Sequence, residues 1–388
     1  MRYDIVTETY APEINGVALT VQSLEQGLRD RGHDLRLIRP RQRRDQTTED
    51  REYLMPGLPV PRYPGMRFGL PVAHRLEAIW RTQRPDAIYV ATEGPLGWAA
   101  LRTARKLGIA TASGFHTRFD EYMRDYGVPF LRGTALRWMR HFHNLADATL
   151  VPTVELRDFL NANGFAHVVR LARAVDTDQF RPERRDPALR AQWGLGEHDL
   201  AVIHLGRIAV EKNLDVAIES FREIEARHPT ARFVWVGDGP ERARIEREHP
   251  DFVFCGIQRG EALARHFASA DLFLFPSLSE TYGNVTLEAL ASGVPTVAFD
   301  YGAARERLRS GENGIAIVES SDAKANTTAF VGAAMTIADD AALRGRMRAA
   351  ARESVIALQP SQVAADFDRI LSTLGHAKRT HERHASAA

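Results

Sequence analysis

The sequence predicts two doubly wound α/β domains in one chain. Three observations carry this reading. Apolar strands alternate with helical patterns in two separate series, a stretch rich in Pro, Arg and Asp parts the series, and 388 residues exceed one ordinary core.

The first series opens with RYDIVTE, an apolar strand. Residues 17–31 (VALTVQSLEQGLRDR) then repeat apolar positions at helical spacing, Gly32 supplies a stop, and LRLIRP returns to a strand. Strand, loop, helix and strand within about forty residues make a βαβ unit. The pattern recurs in AIYVATEG, LGWAALRTARKLG and IATASGFH, and ATLVPTVELRDFL joins a further strand to a helix. The second series runs through AVIHLGR, LDVAIESFREIEARH, ARFVWVGDG, ADLFLFPS, VTLEALASG and PTVAFD. Between them DTDQFRPERRDPALRAQWG, around residues 176–195, lacks periodicity and reads as a linker. The expected division is a first domain over 1–180, a second over 181–358, a helix over 359–375 returning to the first domain, and a disordered polar tail over 376–388. Ligands gather at the carboxyl ends of strands in such sheets, and a cleft between facing domains is the expected active site.

Composition narrows the classes. Lys plus Arg number 51 against 50 for Asp plus Glu, so no global imbalance points to nucleic acid, and any basic surface is local. One cysteine, Cys255, excludes an internal disulfide framework and suits a reducing compartment. The opening MRYDIVTETYAPEING is unlike a signal peptide, and no window reaches the roughly 18 apolar residues of a membrane span. A soluble, cytoplasmic protein is expected.

Chemistry concentrates in two segments of the second series. LGRIAVEKN follows a strand and precedes a helix, so Arg207 and Lys212 leave the strand on its carboxyl side. Only four of the 51 basic residues are lysines, so Lys212 runs against the chain's own bias; a compact ammonium can sit between the oxygens of a diphosphate. A solvated loop fits the same residues. The second segment, SETYGNVTLE, sets Glu280 and Glu288 on either side of a glycine turn. Gly283 or Asn284 ends the loop, a helix spans 285–292, and Gly293 closes it. The helix start offers free amides and a positive dipole end, and Gly283 lets a ligand approach the backbone. With Glu280 in the loop and Glu288 about one turn inside the helix, one carboxylate can accept from sugar hydroxyls and the other from a ribose. A surface loop with an ordinary helix glutamate is the alternative.

GRIAVEKN, followed about seventy residues later by PSLSETYGNVTLEALASGVPTVAFD, resembles the signature of retaining GT-B glycosyltransferases of family 4. VGDGPERARIE, GIQRGEALARHFASADLFLFPS and ETYAPEINGVALTVQSLEQGLRDRGHD resemble its other blocks, so the likeness spans roughly residues 2–370. It implies two Rossmann-like domains, a UDP- or GDP-sugar as co-substrate, and an expected metal-independent transfer with no other cofactor. By this likeness Arg207 and Lys212 hold the donor diphosphate, Glu280 the sugar and Glu288 the ribose. Thr281, Gly283, Asn284 and Val285 lie near the sugar and phosphates, and Gly256 and Ile257 beside the base. In the first domain the likeness brings Gly16 to the phosphates and His116 to the donor sugar or the reaction centre, with Asp120 and Tyr122 on the acceptor side. Asp176-Thr177-Asp178 spells the D-x-D string by which a different glycosyltransferase fold holds a metal, but it lies at the linker's edge, in a block where this chain has Ala174 for the family's usual glycine. Arg207, Lys212 and the helix dipole supply positive charge without it. No carboxylate is assignable as a covalent nucleophile, so same-face attack is what the resemblance implies.

The acceptor is expected to be a membrane lipid such as diacylglycerol or a glycolipid. Residues 55–71 are apolar and rich in Pro and Gly, and FLRGTALRWMRHFHNL interleaves Arg132, Arg137 and Arg140 with aromatic and aliphatic residues. If helical, the latter can rest on an anionic membrane at the cytoplasmic face of the inner membrane, or be a buried amphipathic helix with snorkelling arginines. The FHTRFDEYMRDYG block also resembles lipid-glycosylating mannosyl- and glucosyltransferases. A soluble or polysaccharide acceptor, a nucleotide-sugar epimerase and a non-catalytic nucleotide-sugar sensor are the other readings open to this sequence.

Overall fold

The computed structural model describes residues 1–11, 13, 16–42, 51–59, 67–116, 132–278, 280 and 282–387, the side chains of 132 and 381–387 excepted. It divides into two compact units, Met1–Ala174 with Pro360–Ala388, and Val175–Gln359.

Among the described residues the first unit is built on a sheet of seven strands: β1 (Arg2–Val6), β2 (Asp34–Pro40), β3 (Glu52–Met55), β6 (Ala87–Val90), β7 (Ala110–Gly114), β8 (Ala148–Val151) and β9 (Val168–Arg170). All neighbours are parallel, in the order β3-β2-β1-β6-β7-β8-β9. The order runs outward in both directions from β1 and β6, so the sheet is doubly wound with its switch point between those two strands. A small antiparallel pair, β4 (Gly57–Pro59) with β5 (Arg67–Gly69), occupies the segment read as apolar and turn-rich. Strands buried on both faces need helices on each side, which explains the continuous apolar runs of IYV and TLV. One cover is helix Gly16–Asp30, and against it packs the last helix, Pro360–Ala387. A Cβ on Gly27 would lie 2.2 Å from Ala364 Cβ, so glycine permits that close crossing. Val363, Phe367 and Leu371 fill the core with Tyr3, Ile5 and Tyr89. Asp368 is gripped by Tyr3 Oη (2.9 Å), Arg31 (3.0 Å) and His33 (3.0 Å).

Two features differ from the sequence expectation here. The last helix continues to Ala387 where a disordered tail was expected from residue 376; its Lys, Arg and Glu residues are polar but, like its alanines, good helix formers. The stretch read as a linker is a folded part of the second unit. Asp186 caps helix Pro187–Gln192, and buried Arg190 donates to Ser269 O (2.7 Å), Asp271 (2.9 Å) and Asp199 O (2.6 Å). The unit boundary accordingly falls after Ala174 rather than at 180. Periodicity missed this because a six-residue helix is too short to show it, and its anchors are arginines, which read as solvent-facing.

The second unit carries six parallel strands, β10 (Ala201–Leu205), β11 (Arg232–Val236), β12 (Val253–Gly256), β13 (Leu272–Phe275), β14 (Thr296–Phe299) and β15 (Gly314–Ile317). Their order is β12-β11-β10-β13-β14-β15, with the switch point between β10 and β13. Phe221, Phe233, Trp235, Phe252, Phe299 and Phe330 form its aromatic core.

Candidate active site

In the second unit the loops that leave β10 and β13 flank the switch point, where an open parallel sheet leaves a crevice at its carboxyl edge. After β10 the chain passes Gly206, Arg207 and Ile208, makes a short 3₁₀ turn over Val210–Lys212, and enters helix Leu214–Arg227 through Asn213 in the left-handed conformation (φ 52°). After β13 it passes Ser277 and Glu280 and enters helix Asn284–Ala291 through Gly283 (φ 87°). Leu278 N donates to Glu211 O at 3.2 Å and ties the two loops together. That tie brings the two segments singled out in the sequence into contact.

Lys212 Nζ donates to Glu280 Oε1, and the two side chains are only 14% and 18% exposed. Ser277 Oγ donates to the same oxygen at 3.0 Å. The ammonium also sits 5.9 Å from the centre of the Phe275 ring. Arg207 is different: its side chain is 63% exposed and only loosely paired with Glu211 at 3.5 Å, so its guanidinium can reorient at little cost.

The helix that starts at Asn284 has no side-chain cap, and the amides of Asn284 and Val285 have no acceptor among the described residues. Gly283 is required by its positive φ, although a Cβ there would meet Glu280 and Phe275 only at ordinary contact distances of 3.6 Å. Glu288 lies inside the helix, half-buried, with no carboxylate partner among the described residues. Burial pushes its carboxyl up to about 7.

The remaining strands bring further backbone to this edge. Gly237 after β11 lies against the loop after β10 so closely that a Cβ would fall 1.9 Å from Gly206 O. Gly256 ends β12 at φ 64°, and Ile257 beyond it is 60% exposed, an apolar face at the sheet's edge. Thus Arg207, Lys212, Glu280, Gly283, Asn284, Val285, Glu288, Gly256 and Ile257 all belong to one unit and to loops or a helix start at the carboxyl ends of its strands. Cations, open amides and carboxylates in such an arrangement can bind a ligand that is anionic at one part and hydroxylated at another. Thr281 lies outside the described residues.

In the first unit His116 follows β7 and is buried. Arg173 donates to its Nδ1 at 2.6 Å; a guanidinium cannot accept, so Nε2 carries the proton and donates to Tyr89 Oη at 2.8 Å. Burial, with the charge of Arg173 and nearby His143, holds the imidazole's pKa well below its usual value. Both ring nitrogens are therefore engaged, and the direct sugar contact expected from the sequence has no open nitrogen in this structure. Gly16 begins its helix with no atom of another element among the described residues within 4 Å of where a Cβ would be, so the packing of those residues does not demand glycine. Asp120 and Tyr122 lie outside the described residues. Asp176 is a turn cap: its Oδ1 accepts from the amides of Asp178 (3.0 Å) and Gln179 (2.8 Å).

Three residues at these strand ends escaped sequence reasoning. Ser277 and Tyr301 sit just beyond β13 and β14, and the carboxyl-end rule applied to every strand could have flagged them. Glu8, after β1, accepts from Leu96 N at 2.9 Å and is pushed by burial up to about 7. No local pattern announces it, because its partners are backbone amides far along the chain.

Comparison with known proteins bears on this geometry. Residues 14–179 match the model of Glycosyltransferase Family 4, and residues 199–335 that of Glycosyl transferases group 1. A GDP-mannose-dependent alpha-mannosyltransferase of Mycobacterium tuberculosis is 35% identical over 324 residues, covering 81% of this chain and 83% of the relative. An alpha-monoglucosyldiacylglycerol synthase of Streptococcus pneumoniae is 27% identical over 77% of this chain and 71% of its own. Among solved structures, a sucrose-phosphate synthase from Thermosynechococcus elongatus superposes with a TM-score of 0.76 at 18% identity, covering 96% of this chain and 99% of that one. The two switch points, the loops they align and more than a third identity to an enzyme of matching length agree: this chain belongs to glycosyltransferase family 4 and is a nucleotide-sugar-dependent glycosyltransferase of GT-B fold.

Proposed function

We propose that the enzyme moves a hexose, with retention of anomeric configuration, from a GDP- or UDP-sugar to a hydroxyl of a membrane lipid, GDP-mannose being the donor to test first. The observation that carries the donor half is the contact of Lys212 with Glu280 across the switch point, beside the open amides of Asn284 and Val285. Lys212 and the exposed charge of Arg207 take the diphosphate, together with those amides and the backbone at Gly283. Leaving-group stabilisation by this set lowers the barrier to breaking the sugar–phosphate bond. Glu280 and Thr281 address the sugar, Glu288 accepts from the ribose hydroxyls, and Ile257 covers one face of the base beside Gly256. Gly16 is assigned to donor binding by the family likeness. His116 holds Tyr89 and Arg173 in place at the end of β7, and Asp120 and Tyr122 are assigned to acceptor binding by the family likeness.

GDP-mannose is favoured by the relative of 35% identity, whose name specifies that donor. The lipid acceptor is supported by the name of the diacylglycerol synthase and by helix Arg132–His143. Met139 and Phe142 bury one side of that helix, while Arg137, Arg140, His141 and Trp138, the last 45% exposed, line the other. Exposed arginines beside an indole suit the headgroup layer of an anionic bilayer, which would seat the enzyme peripherally on the cytoplasmic face of the inner membrane. No helix among the described residues is long and apolar enough to cross one. The test is mass spectrometry of lipids after incubating the enzyme with GDP-mannose, or with UDP-glucose, and vesicles of diacylglycerol and anionic lipid. A lipid heavier by one hexose is expected. Products confined to soluble acceptors, an epimerised donor, or nucleotide release equal to the blank would each overturn the lipid reading.

A further inference from the structure

We infer that Ser277, braced by Tyr301, is the positioning residue that aims Glu280 at the donor sugar; the inference rests on the donor reading of Glu280 given above. Lys212 and Ser277 hold the same oxygen of Glu280, Oε1, which leaves Oε2 without a partner among the described residues. The two holds differ in kind. The ammonium of Lys212 is the group a diphosphate draws toward itself, because two phosphate charges outweigh one carboxylate. The Ser277 hydroxyl has no such competitor: the residue is 1% exposed, and its backbone is anchored both directly and through the next residue. Tyr301 Oη donates to Ser277 O, and the next residue, Leu278, is tied to Glu211 O at 3.2 Å. Glu280 also lines a small cavity of about 10 Å³, together with Phe275, Ser277, Tyr282, Thr286 and Tyr301, with room for about one water. A carboxylate released by Lys212 could turn into that space. The Ser277 bond prevents the turn and keeps Oε2 available to a sugar hydroxyl.

A positioning role separates transfer from nucleotide binding. S277A is expected to lower kcat/KM for the sugar nucleotide about tenfold, mostly in kcat, because a hydrogen bond to a charged acceptor is lost. Its Kd for bare GDP or UDP, by calorimetry, is expected to stay within about twofold of the parent, and its Tm close to the parent's. Y301F is expected to show the same split more weakly, and remains testable should S277A fail to fold. S277T, which restores the hydroxyl, is expected to recover transfer. E280A is run beside them. A dead E280A next to S277A and Y301F with parental transfer overturns the positioning role alone, as does a loss of bare-nucleotide affinity matching the loss of transfer. An E280A enzyme with undiminished transfer overturns the donor reading of Glu280, and this inference with it.

Discussion

Replacing Glu280 by Gln is expected to tighten binding of the bare nucleoside diphosphate while impairing use of the sugar nucleotide. In the structure the ammonium of Lys212 already has a carboxylate partner, and both side chains are less than a fifth exposed. A diphosphate approaching Lys212 must share that cation and also meets the negative charge of Glu280. Two unit charges 4 Å apart interact by about 4 kcal/mol at an effective dielectric of 20. Attraction to the ammonium and repulsion from the carboxylate offset each other, and solvent reaches part of the pair, so the net gain from neutralising Glu280 is about 1–2 kcal/mol. That corresponds to a Kd for GDP or UDP lower by about 5- to 30-fold. The sugar loses a charged acceptor at the same time, worth about 1.5–3 kcal/mol, so kcat/KM falls by about one to two decades. Titration calorimetry of parent and E280Q with GDP and UDP, beside initial rates, reads both effects. Weaker binding of the bare nucleotide by E280Q would refute the reasoning, because it would mean that the carboxylate helps to hold the diphosphate rather than competing for its cation.

Other expectations follow from the same structure. The half-buried Glu288 carboxyl, raised to about 7 against an ordinary 4.5, favours its neutral form in the fold, so its stabilising contribution is full below about pH 4.5 and lost as pH rises through about 7. At about 1.36 kcal/mol per unit, discounted for partial exposure, that is about 1–2 kcal/mol; E288Q is expected to match the parent's Tm near pH 4.5 and exceed it at pH 8, and an equal offset at both would contradict the account. Phe367, fully buried and edge-on to Tyr89 at 4.9 Å, holds the last helix to the first unit; F367A is expected to cost about 3–5 kcal/mol in denaturant unfolding, and a loss below about 1 kcal/mol would mean the helix is not part of that core. Because Asp176 spends its carboxylate on capping a turn, exhaustive chelation is expected to leave transfer within about twofold, and a strict metal requirement would return attention to Asp176 and Asp178.

The sequence by itself determined what depends on local periodicity and on spacing along the chain. Parallel strands buried on both faces must be apolar throughout, and the covering helices must repeat at 3.6 residues, so both sheets could be read from segments such as AVIHL and LDVAIESF. Gly283 marked the helix start because only a residue tolerant of positive φ fits there, and Arg207, Lys212, Glu280 and Glu288 stood out by their place beside strand ends. Tertiary structure decided the pairings. That Lys212 meets Glu280 across 68 residues depends on β10 and β13 being neighbours at the switch point, which no local pattern encodes. Likewise Arg173 and Tyr89 fix the proton on His116, and Tyr301 reaches Ser277 only because β14 lies beside β13. The arginine-rich stretch near residue 190 looked like solvated linker because charge normally faces water; the buried carbonyl of Ser269 and the half-buried one of Asp199 reverse that rule, and only the folded chain supplies them.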